Sequence, residues 1–257
     1  MIPELQMYRI VFYVMIAATV LFLGWVARMP AGKRRYYLPV PIVCGTLALG
    51  YFGMSIELLR YTTPGGQPIP MSRYGDYVVT APIMVTVAAI VGGATRRQLV
   101  AVNVLTVAWI GATVGAFFLT PPEQYAANLA TFVCLFGVVA LLVGPISRRA
   151  RRQTGERALL FGQLRNLLLL LWLIYLVLGL STRQGFGLLD AFGGVFVASY
   201  LDVLTRIGFG VLLLRGSDAV DQLLGDDSSG DSGAAGSNGD GSDASADVTI
   251  RKTPDAD

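Results

Sequence analysis

The chain has 257 residues, of which 54% are apolar and 14% charged, with a formal net charge of +3 and no histidine. That length suits one folded unit, and that composition excludes a soluble domain with an ordinary polar surface. With two cysteines and no histidine, a transition-metal centre has no ligand set to draw on.

Apolar runs of about 20 residues, long enough to cross a ~30 Å hydrocarbon core, recur along the chain. Seven spans are predicted: Met7–Arg28, Leu38–Leu59, Arg73–Gly93, Leu99–Leu119, Tyr125–Pro145, Gln163–Thr182 and Ala191–Arg215. The first follows Glu4 with no basic cluster ahead of it and no small-residue cleavage site behind, so it reads as a retained helix. The fourth carries no charge at all. Gly111 and Gly115 within it read as points of close helix packing. Cys44 and Cys134 lie far apart inside spans and read as small apolar packing residues, neither a disulfide nor a metal site. Short connections hold breakers, among them Pro30-Ala31-Gly32, Pro64-Gly65-Gly66 and Pro121-Pro122.

Basic residues follow the odd-numbered spans: Lys33, Arg34 and Arg35, then Arg96 and Arg97, then Arg148, Arg149, Arg151, Arg152 and Arg157. The other connections hold Arg60 and Arg183 and little else. The positive-inside rule therefore puts the N-terminus outside and the C-terminus in the cytoplasm, as expected of a multi-pass protein of the cell membrane. Two parts are expected: a seven-span domain over 1–216 and a disordered acidic tail of Gly, Ser and Asp over 217–257. Residues 225–257 are too poor in apolar side chains to offset the entropy of ordering. No phosphate loop, zinc spacing or nucleophile elbow is present, so neither an enzyme nor a nucleic-acid binder is expected.

Ionisable groups at membrane depth are costly and mark candidate sites. Arg9 and Glu57 lie near outer span ends and are expected to reach water, and Arg165 near the cytoplasmic boundary is expected to snorkel. Four remain: Arg73 and Asp76 in the third span, Asp202 and Arg206 in the seventh. Spacings of three and four put each pair on one helix face, with Thr80 one turn beyond Asp76. From spacing alone, two independent intrahelical ion pairs and a shared functional cluster fit equally well.

Two stretches decide between them by resemblance. Arg73-Tyr74-Gly75-Asp76-Tyr77-Val78-Val79-Thr80-Ala81-Pro82 resembles the third-helix signature of haloarchaeal rhodopsins, R-Y-x-D-W-x-x-T-T-P. Tyr200-Leu201-Asp202-Val203-Leu204-Thr205-Arg206-Ile207-Gly208-Phe209-Gly210 resembles their seventh-helix signature, Y-L-D-x-x-T-K-x-G-F-G. Leu164-Arg165-Asn166 and Trp172 with Tyr175 are similar to the sixth helix. The resemblance runs from about Tyr8 to Arg215 and implies an all-α bundle of seven transmembrane helices, the microbial rhodopsin fold.

In that family a seventh-helix lysine forms a Schiff base with retinal, and its place here is Arg206. The chain's two lysines are Lys33 in a cytoplasmic connection and Lys252 in the tail. Arginine stays protonated, and its delocalised guanidinium is a poor nucleophile toward aldehydes. No covalent retinal is expected, and no other cofactor. The pocket implied by the resemblance is altered in step. Tyr77 stands for a tryptophan, Leu135 for another, Leu176 for a proline and Gly179 for an aromatic, while Thr80, Trp172 and Tyr175 persist. Arg73 and Arg206 against Asp76 and Asp202 still sum to zero, with Arg206 resembling a Schiff base that never deprotonates.

A light-driven pump of the family has a cytoplasmic carboxylate donor and outer release glutamates. Those places hold Val87, Gln184 and Gly194, so a pump is not expected. The sensory branch relies on a seventh-helix threonine bonded to a sixth-helix tyrosine and on a tyrosine facing a transducer, matched by Thr205, Tyr175 and Tyr200. A further transducer-contacting threonine is Asp190 here. Two readings follow. One is a sensory-rhodopsin-like membrane signalling or regulatory protein without photochemistry, with a two-helix transducer, another membrane protein or a second copy as partner. The other is a photoreceptor that holds retinal non-covalently; it predicts an absorbance band with added all-trans retinal. A small-solute transporter lacks a polar path through these spans.

Overall fold

The structure, a computed structural model, describes residues 4–64, 66, 68–153, 155–181, 188 and 190–223. Seven apolar spans form one bundle. Six are α1 (Glu4–Arg28), α4 (Met71–Val91), α5 (Arg96–Ala116), α6 (Glu123–Leu141) continuing into α7 (Ser147–Ala150), α8 (Gly155–Ser181) and α9 (Ala191–Arg215). The seventh is a bent pair, α2 (Ala31–Tyr37) and α3 (Pro39–Ser55), which meet at 42°. Leu38 itself stays α-helical (φ −54°, ψ −33°), but Pro39 has no backbone N–H to donate to the preceding turn and its ring crowds that turn, which accounts for the break. Lys33, Arg34 and Arg35 therefore sit on a helix, where a connection was expected. Between α6 and α7 one π-helical turn, Leu142–Ile146, contains Pro145, which cannot donate its backbone nitrogen to the ladder.

Neighbouring spans pack in chain order up to α6. α8 lies on α4 and α9, and α9 returns to α1 and α3 to close the ring. The core is continuous, from Met15 and Leu47 through Val85 to Phe209 and Leu213. Close approaches between spans rely on glycine, Gly50 and Gly210 among them. A Cβ on Gly50 would lie 3.3 Å from the Asp76 Cβ, and one on Gly210 would lie 2.7 Å from Val40 and 2.8 Å from Phe22. Gly111 and Gly115 do not do this work: an added Cβ at either meets nothing within 4 Å. Cys44 and Cys134 are free thiols.

Three features depart from expectation. Before α4 the chain forms a small hairpin, β1 (Arg60–Thr62) antiparallel to β2 (Pro68–Pro70), with Gly66 at φ +77° in the connection. Strands of three residues are too short to show a period of two in the sequence. After Gly216 the chain stays helical over 217–223, with Ala219, Val220 and Leu223 buried and Lys33 Nζ donating to Asp221 at 2.7 Å. The folded unit thus extends past the expected boundary at 216, because three apolar side chains dock on the cytoplasmic end. The rest of the tail, 224–257, lies outside the described residues. Finally, Arg157 is on α8 and buried, not in a connection.

Candidate functional site

Four ionisable side chains meet in mid-bundle where α4 faces α9. Asp76 and Arg206 are 2% and 4% exposed and Asp202 is fully buried, while Arg73 keeps 15% of its side chain accessible. The helix periodicity aims Arg73 and Asp76 along one face of α4, and Asp202 and Arg206 along one face of α9.

The pairing crosses between helices. Arg206 Nη2 donates to Asp76 Oδ2 at 2.7 Å and to Thr80 Oγ1 at 3.0 Å. Arg206 Nη1 lies 3.8 Å from Asp202 Oδ1, and Arg73 Nε lies 3.8 Å from Asp202 Oδ2. Among the described residues Arg73 makes no ion pair with Asp76, so two independent intrahelical pairs are not what forms. Each helix contributes one cation and one anion to a neutral cluster, as a low-dielectric interior requires.

The two carboxylates are held differently. Asp202 accepts from three phenols: Tyr51 at 2.7 Å, Tyr77 at 3.0 Å and Tyr175 at 2.5 Å. Tyr51 in turn accepts from Arg73 Nη2 at 3.3 Å. The Asp76 carboxylate has Arg206 on Oδ2, while its Oδ1 is buried without a hydrogen bond. Asp76 therefore depends on Arg206, whereas Asp202 has partners on three other helices. The Arg206 guanidinium also lies 5.5 Å from the Tyr77 ring centroid.

Beside the cluster is a cavity of about 410 Å³, bounded by Tyr77, Thr80, Trp172, Tyr175 and Arg206. Every residue expected of the altered pocket lies on its wall, Leu135, Leu176 and Gly179 included. Trp109 of α5 closes one side, edge-on to Trp172 with ring centroids 5.3 Å apart. Sequence reasoning missed Trp109, and missed Tyr51 as well, because an aromatic inside an apolar run looks like packing.

The expected threonine–tyrosine bond is absent. Thr205 Oγ1 donates to the Leu201 carbonyl at 2.5 Å, and the Tyr175 hydroxyl donates to Asp202 instead. A carboxylate is the stronger acceptor, so it takes the phenol. Tyr200 points away from the bundle and is 60% exposed. Asp190 caps α9, its Oδ1 accepting from Gly193 N at 2.7 Å. Val87 and Gly194 supply no carboxylate, and Gln184 lies outside the described residues. Arg9 is exposed, Glu57 pairs with Arg60, and Arg165 Nη1 donates to Ser147 Oγ at 2.7 Å.

Comparison with known proteins agrees with this geometry. A profile described as bacteriorhodopsin-like protein matches residues 4–220. Sensory rhodopsin-2 of Natronomonas pharaonis is 29% identical over 202 residues, covering 78% of this chain and 83% of that protein. Sensory rhodopsin-2 of Haloarcula vallismortis is 30% identical over 187 residues, 72% of this chain and 79% of that one. A bacteriorhodopsin of Haloterrigena is 28% identical over 215 residues, 81% and 86% of the two chains. The crystal structure of thermophilic rhodopsin from Rubrobacter xylanophilus superposes with a TM-score of 0.80 at 25% identity, covering 87% of this chain and all of that one.

Proposed function

The chain belongs to the bacteriorhodopsin-like family, and we propose that it is a sensory-rhodopsin-like membrane signalling or regulatory protein that works without a covalent chromophore. Arg206 carries this reading. Its guanidinium stands in the cavity wall tied to Asp76 and Thr80, and no lysine is among the residues that line the cavity, so no amine is at hand there for an imine. The residues at hand do not fit covalently bound retinal.

A fixed cation between Asp76 and Asp202 holds α4 and α9 together with no step that could neutralise it. The bundle thus stays in one electrostatic state, resembling that of an unilluminated relative. Val87 and Gly194 offer no proton relay, which speaks against pumping. Output then has to pass through contacts with another membrane protein, a two-helix transducer or a second copy among them, and the outward Tyr200 on α9 is the side chain best placed for it. The test is purification from native membranes with identification of co-purifying proteins, repeated with Tyr200→Ala. A specific partner lost in the variant is expected; a chain that co-purifies with nothing refutes the reading.

A second reading rests on the cavity, which lies in the size range of small-molecule sites. Retinal held there non-covalently would give an absorbance band on titration of the purified protein with all-trans retinal.

A further inference from the structure

Among the described residues, the wall of the cavity reaches the outside of the protein at one place. Four lining residues are also exposed on the outside of the protein: Asn128 and Phe132 of α6, Gly179 and Leu180 of α8. No lining residue of α4, α5 or α9 is exposed in this way. α6 packs on α5, and α8 packs on α4 and α9, so the cavity lies between the facing sides of α6 and α8. These two meet toward the cytoplasm, where α7 packs on α8. Gly179 and Leu180 are in the last turn of α8, and Asn128 is in the second turn of α6, which puts the mouth in the outer half of the membrane.

On either side of this mouth the protein presents Leu129, Phe136, Leu173 and Val177, all more than half exposed and all within spans. The mouth therefore opens on hydrocarbon. The inner end offers no unmatched charge, since Arg206 is neutralised by Asp76 and Asp202, and the phenols of Tyr77 and Tyr175 are both spent on Asp202. An anionic head placed there would bury an uncompensated charge. The polar group left over is at the mouth: among the described residues, the Asn128 side chain makes no hydrogen bond.

We propose that the cavity is a lateral lipid site. One hydrocarbon chain of an outer-leaflet lipid enters between α6 and α8, passes Gly179 and ends against Trp109 and Trp172, with its polar head held at the level of Asn128. The chain fills apolar volume that would otherwise be a void. This stands on the spans and the cavity, and holds whether or not the signalling role does.

The three tryptophans make a direct test. Trp25 is 52% exposed on α1, away from the cavity, and Trp25→Phe leaves only Trp109 and Trp172 to emit. Full-length Trp25→Phe protein is placed in phosphatidylcholine vesicles whose chains carry bromine, a contact quencher, and in unbrominated vesicles. Emission should drop in the brominated vesicles and return to the unbrominated level when Gly179→Phe or Gly179→Leu plugs the mouth. A Cβ at Gly179 meets nothing within 4 Å, so the fold should accept either plug, and circular dichroism checks that it has. Absence of quenching overturns the proposal, as does quenching that both plugs leave unchanged. Quenching abolished by an equimolar amount of all-trans retinal assigns the cavity to a retinoid and also overturns it.

Discussion

Arg206→Ala removes the cation that touches both carboxylates. Asp76 Oδ2 loses its 2.7 Å donor, and the cluster passes from neutral to one unpaired negative charge. Breaking a buried pair by deleting one partner costs ~3–5 kcal/mol. The Coulomb attraction at a separation near 4 Å and an effective dielectric of 20 is about 4 kcal/mol, which agrees in size. For a chain of this length that loss corresponds to a fall in Tm of roughly 6–20 °C. The assay is thermal unfolding in detergent of the wild type, Arg206→Ala, Asp76→Asn and the double variant. Asp76→Asn alone leaves Arg206 in excess, whereas the double variant is neutral again, so the double loss should fall well short of the summed single losses. A parallel cycle with Asp202→Asn should couple less strongly, because Arg206 approaches Asp202 only to 3.8 Å and Asp202 keeps its three phenols. Simple additivity with Asp76 would refute the buried neutral cluster and leave Arg206 as no more than the mark of a lost lysine.

Added retinal followed by borohydride reduction should leave no retinyl adduct on the intact chain by mass spectrometry, and an adduct would contradict the chemistry assigned to Arg206. Tyr77→Phe removes one of three donors to Asp202 and should cost about 1.5–3 kcal/mol, the worth of a hydrogen bond to a charged group, read as a lower Tm; no change would mean that the other phenols already saturate the carboxylate. Asp190→Ala should cost about 1 kcal/mol through loss of the α9 cap, with Asp190→Asn recovering most of it in the same melt. Protease added to intact cells should leave residues 217–257 undigested, since the basic residues place that end in the cytoplasm; cleavage from outside would reverse the orientation.

The spans and the buried charges were legible because the membrane penalises every exception: an arginine in an apolar run stands out as it would not in a soluble helix. All four charges expected to matter meet in the bundle. Who pairs with whom was not legible. Spacing reports neighbours along one helix, and the strongest contact, Arg206 with Asp76, joins residues 130 apart in sequence. Tyr51 was invisible for a related reason, since a phenol donating to a carboxylate of another helix looks in sequence like any packed aromatic. The bend at Pro39 and the docked turns over 217–223 were hidden by composition. The first falls at the start of the predicted second span, behind basic residues that read as a connection, and the second starts with Gly216-Ser217-Asp218, which reads as a tail until Ala219, Val220 and Leu223 are seen to be buried.

Arginine at position 206 does more than leave the cavity without a nucleophile. An ammonium is a compact charge with three rotatable donors on one nitrogen, whereas a guanidinium is a planar fork whose five donors spread over three nitrogens. Arg206 uses it as one, with Nη2 on Asp76 and Thr80 and Nη1 toward Asp202, so a single side chain of α9 holds a carboxylate of α4 and one of its own helix together. Tyr77 extends the same tie, since its phenol reaches Asp202 from α4. With Arg73 also 3.8 Å from Asp202, three side chains link these helices, and none can be released by moving a proton off Arg206. In a relative whose charge can move, light is the input. Under the signalling role proposed above, the charge centre here is fixed, so an input has to act elsewhere: at the cavity mouth between α6 and α8, or on the outer face of α9 around Tyr200.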